Sequence, residues 1–331
     1  MSDRSFLDPL RQMLQAALQV EHATIPPYFA AWLSIPDGKN SEAAEIIRSV
    51  MLEEMLHLTL VANILNALGR DPCIGPGTVP RYPGPLPHSD RSFEMSLLPF
   101  CPEALETFRR IEHPALIGAP PQPDRWTTIA QFYEALREAV DRIGADPNVW
   151  SGDRARQVRT AQYYGGGGEV IEVDGREAAL KAIDVIIEEG EGFAGGITDG
   201  GHLLGEPEEL AHYYRFDELA RGRRYVRGDE PSHPTGAPIL LDYGAVAPMR
   251  PNPRAEDYPP DSELRAMTEE CDATYARLLG RLQSAFTGRR EELADAVLDM
   301  WALEYQAVAL MRIPAGDGKH TAGPAFAPPA A

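Results

Sequence analysis

A short pattern of one glutamate and one histidine, three residues apart, occurs twice in the chain. The two copies are Glu54-Met-Leu-His57 and Glu209-Leu-Ala-His212. Residues i and i+3 of an α-helix lie about 60° apart around its axis, so both side chains of each motif project from one face. Apolar residues surround both motifs, and a buried carboxylate or imidazole is costly unless it is paired or binds a metal ion. The repeated motif therefore predicts metal ligation from two helices.

Two further glutamates complete a ligand set that helical bundles use. Carboxylate-bridged dimetal sites take one glutamate from each of two helices and a Glu-x-x-His pair from each of two others. Glu21 lies on the helix before the first motif, and Glu188, Glu189 and Glu191 lie on the helix before the second. We favour Glu191, because its glycine neighbours permit close backbone approach, and then Glu188, which shares its face. The predicted metal ligands are Glu21, Glu54, His57, Glu191, Glu209 and His212, with Glu188 as the alternative.

Two neighbours of these residues are assigned supporting positions. Glu53 offers an alternative pairing with His57 at i+4, but it lies about 100° from Glu54 around the helix axis. A carboxylate that supports the ligands, or one at the surface, is the favoured interpretation of Glu53. His22 adjoins Glu21 and points elsewhere on its helix, so a structural or supporting role is favoured over ligation.

The types of donor select the metal. Carboxylates with two imidazoles and no thiolate suit iron or manganese. Bridging carboxylates hold two such ions about 3.5–4 Å apart. Two iron ions, with manganese as the alternative, are therefore the predicted cofactor. A ferrous pair held in this way can reduce dioxygen.

Helical periodicity places the ligands in an all-α bundle that forms one domain over 1–331. Pro26 and Pro27 are expected to kink or interrupt the first helix. The stretch 71–175 is crowded with proline and glycine and is predicted to be a connection that decorates the bundle, with a short strand or hairpin after the glycines at 165–168. Extra helices are predicted at 261–312. The predicted bundle helices cover 9–33, 41–68, 176–192 and 206–220.

Composition excludes several classes of partner. The net charge is −19, from 31 basic and 50 acidic residues, which disfavours binding to nucleic acid or an anionic membrane. The sequence contains no run of about 18 apolar residues, so no membrane span is predicted. The three cysteines form no C-x-x-C pair, so a disulfide framework or a zinc-thiolate site is not expected. The N-terminal residues lack the features of a secretory signal, and a cytoplasmic location is expected.

Longer segments around the motifs resemble a known family. They are QVEHATIPPYFAAWLSI, EEMLHLTLVANILNALG, IIEEGEG and ELAHYYRF, followed by VAPMRPNP, ALEYQAVALMRIP and AGPAF. These segments are similar to the ferritin-like domain of the family labelled iminophenyl-pyruvate dimer synthase, found also as a portion of the violacein-pathway protein VioB. Glu189 stands where the family is expected to have glutamine, which adds a carboxylate near the centre.

The resemblance implies a ferritin-like fold, the same six ligands, and a bacterial natural-product setting with substrates such as imines of aromatic keto acids. The resulting hypothesis is a non-haem dimetal oxidase or oxygenase that uses dioxygen and acts on a small amino-acid-derived molecule. A reductase or ferredoxin as electron donor, and association into a homo-oligomer, stay open. The alternatives are an iron-binding or storage protein, and a metal-free scaffold that binds a partner.

Overall fold

Helices account for all the regular structure in the part of the chain that can be described. A computed structural model describes residues 5–164, 166–192, 195–200 and 209–327. In these ranges eight α-helices are joined by loops and short 3-10 turns, and the β-type pairings are isolated bridges. The expected all-α class is confirmed. No helix within these ranges is long and apolar enough to cross a bilayer.

The helices differ widely in length, and the two longest come first. We number them in chain order. They are α1 (Asp8–Leu33), α2 (Ser41–Ala67), α3 (Pro102–Ile111), α4 (Ile129–Ile143), α5 (Arg176–Glu191), α6 (His212–Arg221), α7 (Glu263–Phe286) and α8 (Glu292–Leu310).

Four of these helices form a closed ring. Helix α1 packs against α2 and α4, and α5 packs against the same two helices from the other side. The short helices α3 and α6 pack against each other and contact the ring, while the hairpin of α7 and α8 lies against α1 and α2. Helix α4 falls inside the stretch 71–175, yet it belongs to the ring, because Phe132, Tyr133, Leu136 and Val140 give it a buried face at helical spacing.

The predicted interruption of α1 is wrong. Pro26 and Pro27 both lie inside one continuous α-helix. A proline at position 27 leaves the carbonyl of Ala23 without its usual amide donor. The hydroxyl of Tyr82 donates to that carbonyl at 2.8 Å and replaces the missing hydrogen bond. A tertiary contact therefore keeps Glu21 and the residues after it on a single helix.

Two buried amide side chains, Asn63 on α2 and Gln157, satisfy the backbone of the segment that leads into α5. Asn63 is fully buried. Its amide nitrogen donates to the carbonyls of Val158 and Ile171 at 2.9 and 3.0 Å, and its carbonyl oxygen accepts from the Val158 N–H at 2.9 Å. Gln157 bonds in the same way to both backbone groups of Val173. The predicted strand or hairpin is therefore absent from residues 169–174, since side chains replace a partner strand.

Replacement of Asn63 by leucine is expected to destabilise the protein by about 3 kcal/mol or more, because each buried backbone group left without a partner costs about 1–3 kcal/mol. Chemical denaturation followed by circular dichroism measures this change. The matched control is Asn148→Leu at an exposed position, for which a change within about 0.5 kcal/mol is expected. Equal stability of the two variants would contradict the role given to Asn63.

Candidate metal centre

Five buried donors, four on helices and one directly after a helix, meet inside the bundle. Glu21 comes from α1, and Glu54 and His57 come from adjacent turns of α2. Glu112 is the residue that follows α3, and His212 is the first residue of α6. None of the five is more than 7% exposed. The centre is therefore built from two long helices and from the ends of two short ones.

The donors form two groups that share one carboxylate. Glu21, Glu54 and His57 are one group, and Glu54, Glu112 and His212 are the other; in each, one ligand atom per residue lies within 4.8 Å of the others. In the first, His57 Nδ1 is 3.5 Å from Glu21 Oε2 and 3.7 Å from Glu54 Oε1. In the second, His212 Nδ1 is 3.1 Å from Glu54 Oε1 and 3.5 Å from Glu112 Oε2. Glu54 thus lies between two donor sets of the same composition.

A second carboxylate contacts Nε2 of each imidazole, on the side of the ring away from the shared Glu54. His57 Nε2 is 2.7 Å from Glu189 Oε2, and His212 Nε2 is 2.8 Å from Glu53 Oε2. An ionised carboxylate only accepts hydrogen bonds, so Nε2 of each histidine carries a proton and donates it. In the neutral imidazole, Nδ1 then presents its lone pair to the shared carboxylate. This tautomer is the one that metal ligation requires.

Three hydroxyl groups donate to the inner carboxylates, which are those of Glu21, Glu54 and Glu112. Tyr133 on α4 donates to Glu21, and Tyr28 on α1 donates to Glu112. Thr24 donates to Glu54 Oε2 at 2.7 Å, which leaves the other oxygen, Oε1, towards the histidines. Each inner carboxylate therefore has one oxygen bound by a hydroxyl and one that faces an imidazole.

Burial raises the pKa of Glu54 and of Glu112, and repulsion from neighbouring glutamates raises both further. Burial alone would lower the pKa of His57, but its contacts with Glu189 and Glu21 outweigh burial and raise the pKa to about 10. The pKa of His212 is raised well above its usual value in the same way, against burial, by Glu112, Glu53 and Glu54. In the metal-free chain the cluster therefore favours positive charge on its histidines, which is the electrostatic environment that a cation needs.

Arg215 sets the charge of the carboxylate behind His212. Its guanidinium lies 2.7 Å from Glu53 Oε1 and 3.0 Å from Glu209 Oε2. Burial opposes ionisation of Glu53, but the charge of Arg215, with help from His212, lowers its pKa to about 2. Glu53 is therefore an ionised acceptor for His212.

The residues present fit a pair of metal ions. His212 Nδ1 is buried and makes no hydrogen bond of good geometry within the described part of the chain, although two carboxylate oxygens are nearby. A buried polar atom without a partner is rare in folded proteins, and a metal ion bound by this histidine would supply one. Carboxylates and imidazoles are the donors that iron, manganese and zinc accept.

Four of the predicted ligands come together as expected in space: Glu21, Glu54, His57 and His212. Glu209 does not join them. The predicted start of its helix near residue 206 lies outside the described residues. Residues 209–211 are not helical and α6 begins at His212, so Glu209 lies outside the helical turn that would align it with the histidine. Its side chain is 59% exposed and pairs with Arg215.

The structure bears differently on each of the three glutamates of α5 that are candidate ligands. Glu191 is the last residue of α5, but its side chain is outside the described structure, so its ligation stays a prediction. Glu188 is partly buried, and burial, followed by repulsion from Asp184, raises its pKa to about 7. Glu189 contacts Nε2 of His57. His22 hydrogen-bonds to Tyr275 instead of joining the cluster.

Glu112 is not among the ligands predicted from the sequence, although a signal for it exists. The buried face of α3 includes Leu105, Phe108 and Ile111. Glu112 follows Phe108 by four residues, so it continues this apolar face as a buried carboxylate. A charged residue on the apolar side of an amphipathic helix is a candidate ligand, and this criterion would have found it.

Glu112→Gln is expected to lower the metal content of the loaded protein from about two ions per chain to about one, because the group with His212 loses an anionic donor. Elemental analysis after anaerobic loading and desalting measures the content. Glu106→Gln, exposed on the same helix, is the control, and Glu209→Gln is expected to behave like it. Full metal content in Glu112→Gln would refute the second group.

Glu189→Gln is expected to weaken metal binding about tenfold without changing the number of ions. Partners of ligating histidines typically contribute 10- to 100-fold, and the lower end applies because the glutamine carbonyl still accepts the Nε2 proton. A competition titration with a chromogenic chelator gives the affinity. The neighbouring Glu188→Gln is the control, and equal affinities for the two variants would exclude a supporting role for Glu189.

Comparisons with known proteins agree with this fold. A crystal structure of a ferritin-like protein from Caulobacter vibrioides aligns with a TM-score of 0.66 and 22% identity, over 96% of this chain and 97% of that one. A family model described as Ferritin-like matches residues 14–221.

Two curated proteins are similar in sequence. The 2-imino-3-(indol-3-yl)propanoate dimerase of Chromobacterium violaceum is 28% identical over 306 aligned positions, which cover 84% of this chain and 27% of that protein. The dichlorochromopyrrolate synthase of Lentzea aerocolonigenes is 25% identical over 327 positions, which cover 84% of this chain and 29% of that protein. This chain thus spans less than a third of either relative.

The matched range includes all five donors of the candidate centre, from Glu21 to His212. It also covers more than half of the chain, with all of α2 to α6. The chain therefore belongs to the ferritin-like family.

Proposed function

We propose that the protein is a dimetal oxidase or oxygenase, with iron as the metal, that acts on a small amino-acid-derived substrate in bacterial natural-product biosynthesis. The observation that carries this proposal is the position of Glu54, which faces both His57 and His212. A carboxylate shared by two equivalent donor sets is the arrangement that holds two metal ions side by side.

Each ion would have its own donor set. Glu21 and His57 would hold one ion, Glu112 and His212 the other, and Glu54 would bridge them. Bound iron supplies electron transfer to dioxygen. The chain's own groups keep the ligands in place: Tyr28, Thr24 and Tyr133 orient the three carboxylates, while Glu53 and Glu189 keep the Nε2 protons in position. The buried setting excludes bulk water from the reacting groups.

Two openings lead towards the centre and differ in size. A cleft of about 20 Å³ between α4 and α5 reaches Glu112 and Tyr133. This volume holds a molecule no larger than water or dioxygen. A polar pocket of about 250 Å³ reaches Glu53, Glu189 and Arg215, behind the two histidines. The small cleft suits entry of dioxygen, and the polar pocket suits a small polar substrate.

The class of substrate is proposed from the relatives. One is named as a dimerase of 2-imino-3-(indol-3-yl)propanoate, the imine of an aromatic keto acid, and the other as a synthase of dichlorochromopyrrolate. We extend the imine of an aromatic keto acid to this chain as its substrate class. Because the chain covers less than a third of those proteins, the coupling of two substrates is not part of the proposal.

The protein is expected to bind about two iron ions per chain and to consume dioxygen when it is mixed with indole-3-pyruvate and excess ammonium, which form the imine in solution. Glu54→Ala is expected to lower the rate by about 100-fold or more, beyond the effect of a supporting residue. An oxygen electrode and elemental analysis make these measurements, with Glu45→Ala, exposed on the same helix, as the control.

The contrary outcomes distinguish the alternatives. Retention of full metal content and activity in Glu54→Ala would refute the proposed centre. Iron uptake far beyond two ions per chain, together with elution from a sizing column at hundreds of kilodaltons, would favour storage. No stoichiometric metal after loading would favour a metal-free scaffold.

A further inference from the structure

A separate cavity lies between the α1–α2 pair and the C-terminal α7–α8 hairpin. Its volume is about 90 Å³. Its walls on α1 and α2 include His22, Met55 and Leu58, which directly follow Glu21, Glu54 and His57 in the chain. Successive residues of a helix point about 100° apart, so these walls face away from the metal ligands. None of the five donors lines the cavity.

The chemistry of the walls is apolar and aromatic. No Asp, Glu, Lys or Arg is among the described residues that line the cavity. Phe286, Tyr163 and Tyr275 contribute rings, and Met55 and Met300 contribute thioethers, which make favourable contacts with the edges of aromatic rings.

The polar groups of the walls are largely satisfied by one another. His22 Nε2 and Tyr275 Oη form a hydrogen bond of 2.7 Å, and the Thr59 hydroxyl donates to the Met55 carbonyl at 2.9 Å. The hydroxyl of Tyr163 is buried and has no hydrogen-bond partner within the described ranges. An ordered water needs two to four polar partners, so this cavity does not hold water well. Its walls lack contacts that an apolar guest would supply.

We propose that this cavity binds a single neutral aromatic ring. An engineered apolar cavity of about 150 Å³ stays dry and binds benzene. The smaller volume here limits the guest to one ring. No Lys or Arg is among the lining residues that the structure describes, which disfavours a ring that carries a carboxylate. Phenol is a neutral single ring of this class. The site is separate from the metal centre and does not depend on its function.

Phenol and benzoate, which share one ring and differ in charge, test the proposal by isothermal titration calorimetry on the full chain. Saturable binding of phenol and none of benzoate is the expected result. The same binding is expected in the Glu112→Gln variant, so a failure of the metal assignment leaves this test intact.

Variants that fill the cavity locate the binding site. Ala296→Leu adds volume to the buried wall, and Val297→Trp blocks the partly exposed rim, where folding is less at risk. Each is expected to weaken phenol binding by about tenfold or more, because the added side chain takes the place of the ring. Ala294→Leu, the same substitution at an exposed position of α8, is expected to leave binding unchanged.

Three results would overturn the proposal. They are the absence of saturable phenol binding to the natural sequence, binding of benzoate with equal affinity, and phenol affinities that are unchanged in both Ala296→Leu and Val297→Trp.

Discussion

Negative charge buried inside a helical bundle is the constraint on which the structure depends. Glu21, Glu54 and Glu112 are almost inaccessible to solvent, and an ionised carboxylate without a partner is strongly disfavoured in such a place. The chain supplies one hydroxyl to each of them and two histidines between them. These contacts leave one oxygen of each carboxylate facing an imidazole, where a bound cation would complete the balance of charge.

The two halves of the centre are alike in chemistry but come from different elements. Each half has a histidine, an inner carboxylate that accepts from a tyrosine, and an outer carboxylate that contacts Nε2 of the histidine. The outer carboxylates are Glu189 for His57 and Glu53 for His212. The outer carboxylate of His57 comes from α5, whereas that of His212 comes from α2, the helix that carries His57. The short helices α3 and α6 are therefore as necessary as the long ones, because their ends bring Glu112 and His212 to Glu54.

Local geometry explains which parts of the centre could be predicted from sequence. Glu54 and His57 both lie within α2, three residues apart, so they share a helix face and their proximity follows from spacing alone. The pair Glu209 and His212 has the same spacing, but only His212 is helical, and the start of a short helix is weakly encoded. Glu112 and Glu189 reach the histidines through tertiary packing over more than 90 residues of chain. The continuity of α1 likewise depends on Tyr82, which no local pattern connects to Pro27.

Helices α1 and α2 separate the buried charged cluster from the apolar cavity. Along α1 and α2, three candidate metal ligands are each followed by a residue that lines the apolar cavity. Glu21 precedes His22, Glu54 precedes Met55, and His57 precedes Leu58. The 100° step of the helix makes this possible without any break in secondary structure. The apolar side also serves the polar one, because low polarity around a metal centre strengthens the interactions of its charges and limits entry of water. A change of packing in the cavity therefore acts on the same helical turns that hold Glu54 and His57.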